Sequence, residues 1–179
     1  MNNSFEIKRC RLCNSNDINE IINLGNQPLA NSLQNNKNSK TIKYPLVLCK
    51  CNRCGIIQLT VTVEPKILFS EYLWVTGTSQ GAKNYSKKFF SGAVKYLENN
   101  NELVVEIASN DGTFLKQFKE NGFNVLGVDP ATIPAEIANK NGIKTYNEFF
   151  NQSIAKKIIN NYGYADLITS HNVLAHVDN

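Results

Sequence analysis

No stretch of the 179-residue sequence approaches the roughly 18 consecutive apolar residues that a membrane-spanning helix requires. The opening Met1-Asn2-Asn3-Ser4-Phe5 also lacks the apolar core of a secretion signal. These absences point to a cytoplasmic chain with no membrane partner. The excess of positive over negative charge is small. There are 19 Lys and Arg against 15 Asp and Glu, a net charge of +4, and the lysines are scattered. A nucleic-acid partner is therefore not expected. Internal repeats and low-complexity linkers are missing, and so is the G-x-G-x-x-G signature of dinucleotide binding. Histidine is limited to His171 and His176.

A hydrophobic fraction of 42% with 19% charged residues fits a globular chain with a core. Asparagines at Asn35-Asn36, Asn99-Asn100-Asn101 and Asn160-Asn161 punctuate it as loops and helix ends. Three stretches differ in character. Residues 1–64 hold all five cysteines and few helical signals, and form the expected zinc-binding domain. Residues 65–98 form a helical connector, with Ala82, Tyr85, Phe89, Ala93 and Leu97 on one apolar face. Residues 99–179 alternate between strands and helices. Strands are expected at Leu103–Ala108, Asn124–Asp129, Ile143–Tyr146 and Ala165–Ser170. Helices are expected at Thr113–Glu120, Ile133–Lys140 and Ser153–Asn160, the first two closed by Asn121-Gly122 and Asn141-Gly142. This alternation implies right-handed crossovers and a parallel sheet, the α/β class.

Cys10-Arg11-Leu12-Cys13 and Cys51-Asn52-Arg53-Cys54 are two C-x-x-C pairs. Each spacing lets two thiolates face one tetrahedral ion from a single turn, and two turns close a structural Zn2+ site with no position for water. In a reducing compartment paired cysteines favour metal over disulfides. Buried thiols or a redox pair are the competing readings. Cys49 is a further candidate ligand, although the spacing favours Cys51 and Cys54.

Glu106-Ile107-Ala108-Ser109-Asn110-Asp111-Gly112 joins the first strand of the α/β stretch to its helix. Ligands of such sheets bind outside the carboxyl ends of the strands. An acidic residue at the strand end, without basic phosphate ligands, suits a cationic cofactor that lacks phosphate. S-adenosylmethionine is one. Asp129 ends the second strand and can accept ribose hydroxyls, or it caps the next helix. His171 and His176 follow the fourth strand and face the same edge.

Together these pieces resemble the sugar C-methyltransferases of deoxysugar biosynthesis, over essentially the whole chain. The first C-x-x-C pair begins the match. Leu24-Gly25-Asn26-Gln27-Pro28-Leu29-Ala30-Asn31-Ser32 and Tyr44-Pro45-Leu46 continue it, followed by Cys51-Asn52-Arg53-Cys54-Gly55 and Gln58-Leu59. Phe69-Ser70-Glu71-Tyr72, Val105 to Gly112, Gly127-Val128-Asp129-Pro130 and Asn172-Val173-Leu174-Ala175-His176 complete it.

The resemblance implies a small four-cysteine zinc-binding domain followed by the first half of a Rossmann-like S-adenosylmethionine-dependent methyltransferase domain. The implied reaction is methylation of a carbon beside the keto group of a nucleotide-linked sugar. Glu106, Ala108, Asn110, Asp111, Gly112 and Asp129 then line the cofactor, and Thr78 reaches it from the N-terminal side. His176 and Tyr72 belong to the sugar site, with Trp74 where the family often has tyrosine. The family's catalytic Glu-His pair lies beyond the fourth strand and outside these residues. The chain is therefore expected to be an N-terminal portion of the enzyme, with a sheet edge that a partner chain could complete. The alternative is a non-catalytic zinc-containing fragment that binds cofactor or partner.

Overall fold

Antiparallel strands and tight turns dominate the cysteine-bearing part of the chain. The computed structural model describes residues 3–33, 36 and 40–177. Asn35 of the expected Asn35-Asn36 loop, Met1-Asn2, and the last two residues of the expected 99–179 domain lie outside the described residues. Two compact units divide the chain, Met1–Leu68 and Phe69–Val177.

In the first unit, β2 (Ile18–Pro28), β3 (Lys43–Cys51) and β4 (Ile57–Leu59) form an antiparallel sheet in that order. β1 (Ser4–Glu6) pairs with β5 (Val61–Val63). The β2–β3 register slips between Glu20 and Ile22 and again between Asn23 and Asn26. The second slip falls at Gly25, whose φ of 67° admits a left-handed bend. Along β3 the period of two buries Cys49 and Cys51 and exposes Lys50. A short helix, α1 (Pro65–Phe69), follows.

The second unit opens with a strap, residues 70–79, that contains a 3-10 turn at Thr76–Thr78. α2 (Gln80–Ala93) comes next, with Ser79 accepting the N–H of Ala82 as its cap. Its turns carry Phe89, Phe90 and Ala93 onto the core. Leu97 also packs there, but from an extended residue after a 3-10 turn at Val94–Tyr96. Four parallel strands follow: β6 (Leu103–Ile107), β7 (Asn124–Val128), β8 (Thr145–Tyr146) and β9 (Leu167–Ser170). Between them run α3 (Thr113–Glu120), α4 (Thr132–Lys140) and α5 (Gln152–Tyr162).

The strand order is β8-β7-β6-β9, so the chain winds outward from β6 and then returns to β6's other side. That return makes β6/β9 the topological switch point, and the expected parallel α/β sheet is what forms. Both faces are covered, as parallel strands require. Val104 joins Leu115, Phe118 and Ile143 on one face, while Leu103 and Val105 join Leu126, Ile154 and Ile158 on the other.

Several expected bounds shift. β8 is only two residues long, and Ile143 enters the core from the preceding turn. α5 continues through Asn160-Asn161 and stops at Gly163, where φ is 86°. Glycine without a Cβ ends a helix there more readily than asparagine does.

Candidate functional site

Two clusters of side chains carry chemistry, one in each unit. In the first, the two C-x-x-C turns are built alike. Cys10 N–H donates to Ser15 O and Asn14 N–H to Cys10 O; Cys51 N–H donates to Ile56 O and Gly55 N–H to Cys51 O. Asn14 and Gly55 both have positive φ, 57° and 77°. Asparagine tolerates that conformation better than most residues, so Asn14 is the counterpart of Gly55. Gln58 holds the first turn in place, accepting from Arg11 N–H and donating to Arg9 O.

The sulfurs of Cys10, Cys13, Cys51 and Cys54 all lie within 4.8 Å of one another. Cys10 Sγ is 3.5 Å from Cys54 Sγ, and Cys13 Sγ is 3.6 Å from Cys51 Sγ. A tetrahedral zinc with bonds of about 2.3 Å has S···S edges of about 3.8 Å, so these residues fit the ion. The protonation chemistry agrees. The Cys13 N–H, 3.5 Å away, leads in holding the Cys10 thiol down to about 6. The Ile56 N–H pulls on Cys54 likewise, but desolvation and the three neighbouring sulfurs push it up to about 12. Four thiolates this close need a dication between them. Cys49 is not among the four. Its sulfur donates to Gln58 O at 3.4 Å, and burial, then the charges of Cys10 and Cys51, keep it a neutral thiol.

The second cluster lies at the carboxyl ends of β6, β7 and β9. After β6 the backbone coils tightly, with Ala108, Asn110 and Gly112 at φ 55°, 50° and 76°. A non-glycine residue held there costs about 1–2 kcal/mol, and such strain concentrates at functional loops. Asp129 offsets it. Its two carboxylate oxygens accept Asn110 N–H at 2.7 Å and Ala131 N–H at 2.8 Å, tying the β6 and β7 loops together. Gly127 makes room, because a Cβ there would collide with Ser109 Oγ and Thr145 Oγ1.

The strap closes on this loop. Asn110 accepts Thr76 N–H at 2.8 Å and donates to Trp74 O at 2.9 Å. Asp111 accepts Gly77 N–H at 2.9 Å and the Thr113 hydroxyl at 2.7 Å. Thr78, an expected cofactor contact, is exposed and turns its hydroxyl to Val75 O. The side chains of Asn110 and Asp111 thus grip Thr76 and Gly77, partners that residue-type reasoning missed. Gly77 was the available signal, since a Cβ would collide with Asp111 Oδ2 and Thr113 Oγ1.

Glu106 is 2% exposed at the end of β6, between Gly127 and Thr169 in register. Burial, then the charges of Asp129 and Asp111, raise its pKa well above the carboxylate range, against the Leu115 N–H. Burial also raises Asp129, against its bonds to Ala131 and Asn110, and lowers His171. Four buried side-chain atoms lack a hydrogen-bond partner among the described residues: Glu106 Oε2, Ser109 Oγ, Ser170 Oγ and His171 Nε2. All four sit at the ends of β6 and β9, the switch point. Tyr72 and His176 flank Phe69, with ring centroids 6.5 and 6.3 Å from it. Phe69 was not singled out as a site residue, though it lies in a segment that carries the resemblance.

Residues 83–179, more than half of the sequence, match the family described as "Methyltransferase domain". The chain belongs to that methyltransferase-domain family. Residues 10–69 match the family described as "Putative zinc binding domain", a span that includes all four clustered cysteines. The chain is 30% identical over 175 residues to C-methyltransferase NovU of Streptomyces niveus, covering 96% of this chain and 41% of that protein. It therefore spans about two fifths of the length of that curated relative. Among solved structures, the plantazolicin methyltransferase BpumL in complex with SAH is 17% identical, with a TM-score of 0.39 over 52% of this chain and 36% of that one. BamL, another plantazolicin methyltransferase solved with a triazolic desmethylPZN analog and SAH, is 16% identical, with a TM-score of 0.34 over 46% and 32%. Likeness that slight carries no weight for ligand or activity. No helix among the described residues is long and apolar enough to cross a membrane.

Proposed function

We propose that this chain is the zinc-bearing, cofactor-binding portion of an S-adenosylmethionine-dependent C-methyltransferase whose acceptor is a nucleotide-linked keto-deoxysugar. The observation that carries the cofactor reading is the group of unpartnered buried polar atoms at the β6/β9 switch point, set among carboxyl groups. His171 Nε2 lies 3.7 Å from Glu106 Oε1, and burial disfavours its charged form. A phosphate would find no cation there. A nucleoside with an ammonium and a sulfonium meets Glu106, while a ribose finds spare lone pairs on Asp129.

When bound, S-adenosylmethionine supplies an electrophilic methyl group. The protein's share of the work is to hold ligand and sugar in line and to exclude water. The strap of Trp74–Gly77, fixed by Asn110 and Asp111, supports the loop that does so. Tyr72 and His176, on either side of Phe69, suit the acceptor side. There His176 would assist removal of the proton α to the sugar carbonyl or stabilise the enolate. The acceptor reading rests on the sequence resemblance and on the C-methyltransferase relative.

Calorimetric titration with S-adenosylhomocysteine tests the cofactor site. Saturable one-site binding is expected, weakened by at least about tenfold in Asp129→Ala, which loses the ribose acceptor and the tie to Asn110. Equal affinity for the variant would remove Asp129 from the site.

A further inference from the structure

One of the unpartnered atoms, His171 Nε2, faces the carboxyl group that carries another, Glu106 Oε2. Glu106 Oε1 lies 3.7 Å from His171 Nε2, too far for a hydrogen bond and close enough for one small displacement to make one. The His171 ring is held in an aromatic sleeve. It stacks on Phe114 with centroids 4.0 Å apart and planes at 24°, and it meets Phe89 edge-on at 4.4 Å and Tyr85 at 6.3 Å. Stacked aromatic faces stabilise an imidazolium, while burial opposes it. The groups facing the pair come from every packed element. Asp111 comes from the β6 loop, Asp129 from the end of β7, Leu115 N–H from α3 and Tyr85 from α2.

We propose that Glu106 and His171 share one proton, and that His171 is a positioning residue which accepts that proton when an ammonium group docks on Glu106. The inference rests on the cofactor reading above. In the free protein the proton stays with the pair, because Asp129, Asp111 and burial all disfavour a lone carboxylate. A docking ammonium replaces it. The O–H bond of Glu106 breaks, and the proton passes to His171 Nε2. The imidazole, whose side chain is 17% exposed, in turn gives up its other ring proton, from Nδ1, to solvent. No other bond changes. Ligand capture therefore releases a proton and strengthens as pH rises through the titration of the pair.

The test is calorimetry with S-adenosylhomocysteine, which keeps the amino-acid group, between about pH 6 and pH 9. Two buffers of different ionisation enthalpy report the proton count. His171→Phe preserves the stacking, and His171→Gln preserves a polar end, but neither has a base; circular dichroism checks that both fold. The wild type is expected to release part of a proton near neutral pH. Both variants are expected to bind about tenfold more weakly at pH 7, with curves displaced by about one pH unit toward alkali and converging on wild type there. A uniform loss of affinity at every pH would reduce His171 to a structural role and overturn the proposal. Wild-type binding without proton release would do the same. No binding by folded wild-type protein at any pH would instead remove the cofactor site on which the proposal rests.

Discussion

Glu106 occupies a position that packing alone would fill with an apolar side chain. Val104, two residues earlier on the same face of β6, is fully buried in the core with Leu115 and Phe118. A carboxyl group there costs the fold, and the cost has a pH signature. Its pKa is raised above the ordinary 4.5, so the native state binds more protons than the unfolded chain above that pH. Its contribution is most favourable in acid and is lost as pH rises through that window. His171 works in the opposite sense. Its pKa is lowered from 6.5, so its contribution is lost as pH falls below that value. Glu106→Gln keeps the shape and removes the charge. At pH 8 it is expected to raise the unfolding free energy in urea by about 1–3 kcal/mol while weakening S-adenosylhomocysteine binding at least about tenfold. Such opposed effects mark a residue kept for function. A Gln variant that is less stable and binds normally would contradict this account of Glu106.

Elements differ in how openly the sequence declares them. α3 is found at the expected Thr113–Glu120, because Phe114, Leu115 and Phe118 mark a buried face and Gly122 closes the turn. β2 is the opposite case. It is exposed along nearly its whole length, is broken by two register slips and has no alternation to read. The grouping of Cys10, Cys13, Cys51 and Cys54 was legible from spacing, but the matched turn at Asn14 was not, since only asparagine's tolerance of positive φ marks it. The strap was hidden for another reason: Trp74, Thr76 and Gly77 find their partners 34 to 36 residues away. The His171 sleeve likewise needs Phe89 and Phe114 from two separate helices. The small strand unit is expected to depend on a metal, because four thiolates this close repel without a cation. A strong chelator should remove one zinc per chain. Hydrogen exchange should then show loss of protection in β3 and β4, with β6 and β7 still protected. Protected β3 amides in zinc-free protein would refute a structural role for the ion.

At the scale of the whole molecule, the order β8-β7-β6-β9 matters most, because it creates the crevice where the unpartnered atoms converge. The run of apolar strands and intervening helices announced a parallel sheet. Which two strands flank the crevice follows only from the pairing of β9 with β6. β9 has a partner on one side only among the described residues, and Ile168 on it is 57% exposed. Nearby Tyr85, Lys88, Phe89 and Tyr96 line a groove of about 610 Å³ beside that strand. On the proposed cofactor reading, the carboxyl-lined end of β6 selects a cationic nucleoside without phosphate. Competition at one site tests it most directly: displacement of labelled S-adenosylhomocysteine from zinc-loaded protein by S-adenosylmethionine, ATP and NAD. The account predicts displacement by S-adenosylmethionine, with ATP and NAD at least about a hundredfold weaker because no cation meets their phosphates. Equal displacement by ATP or NAD would contradict it.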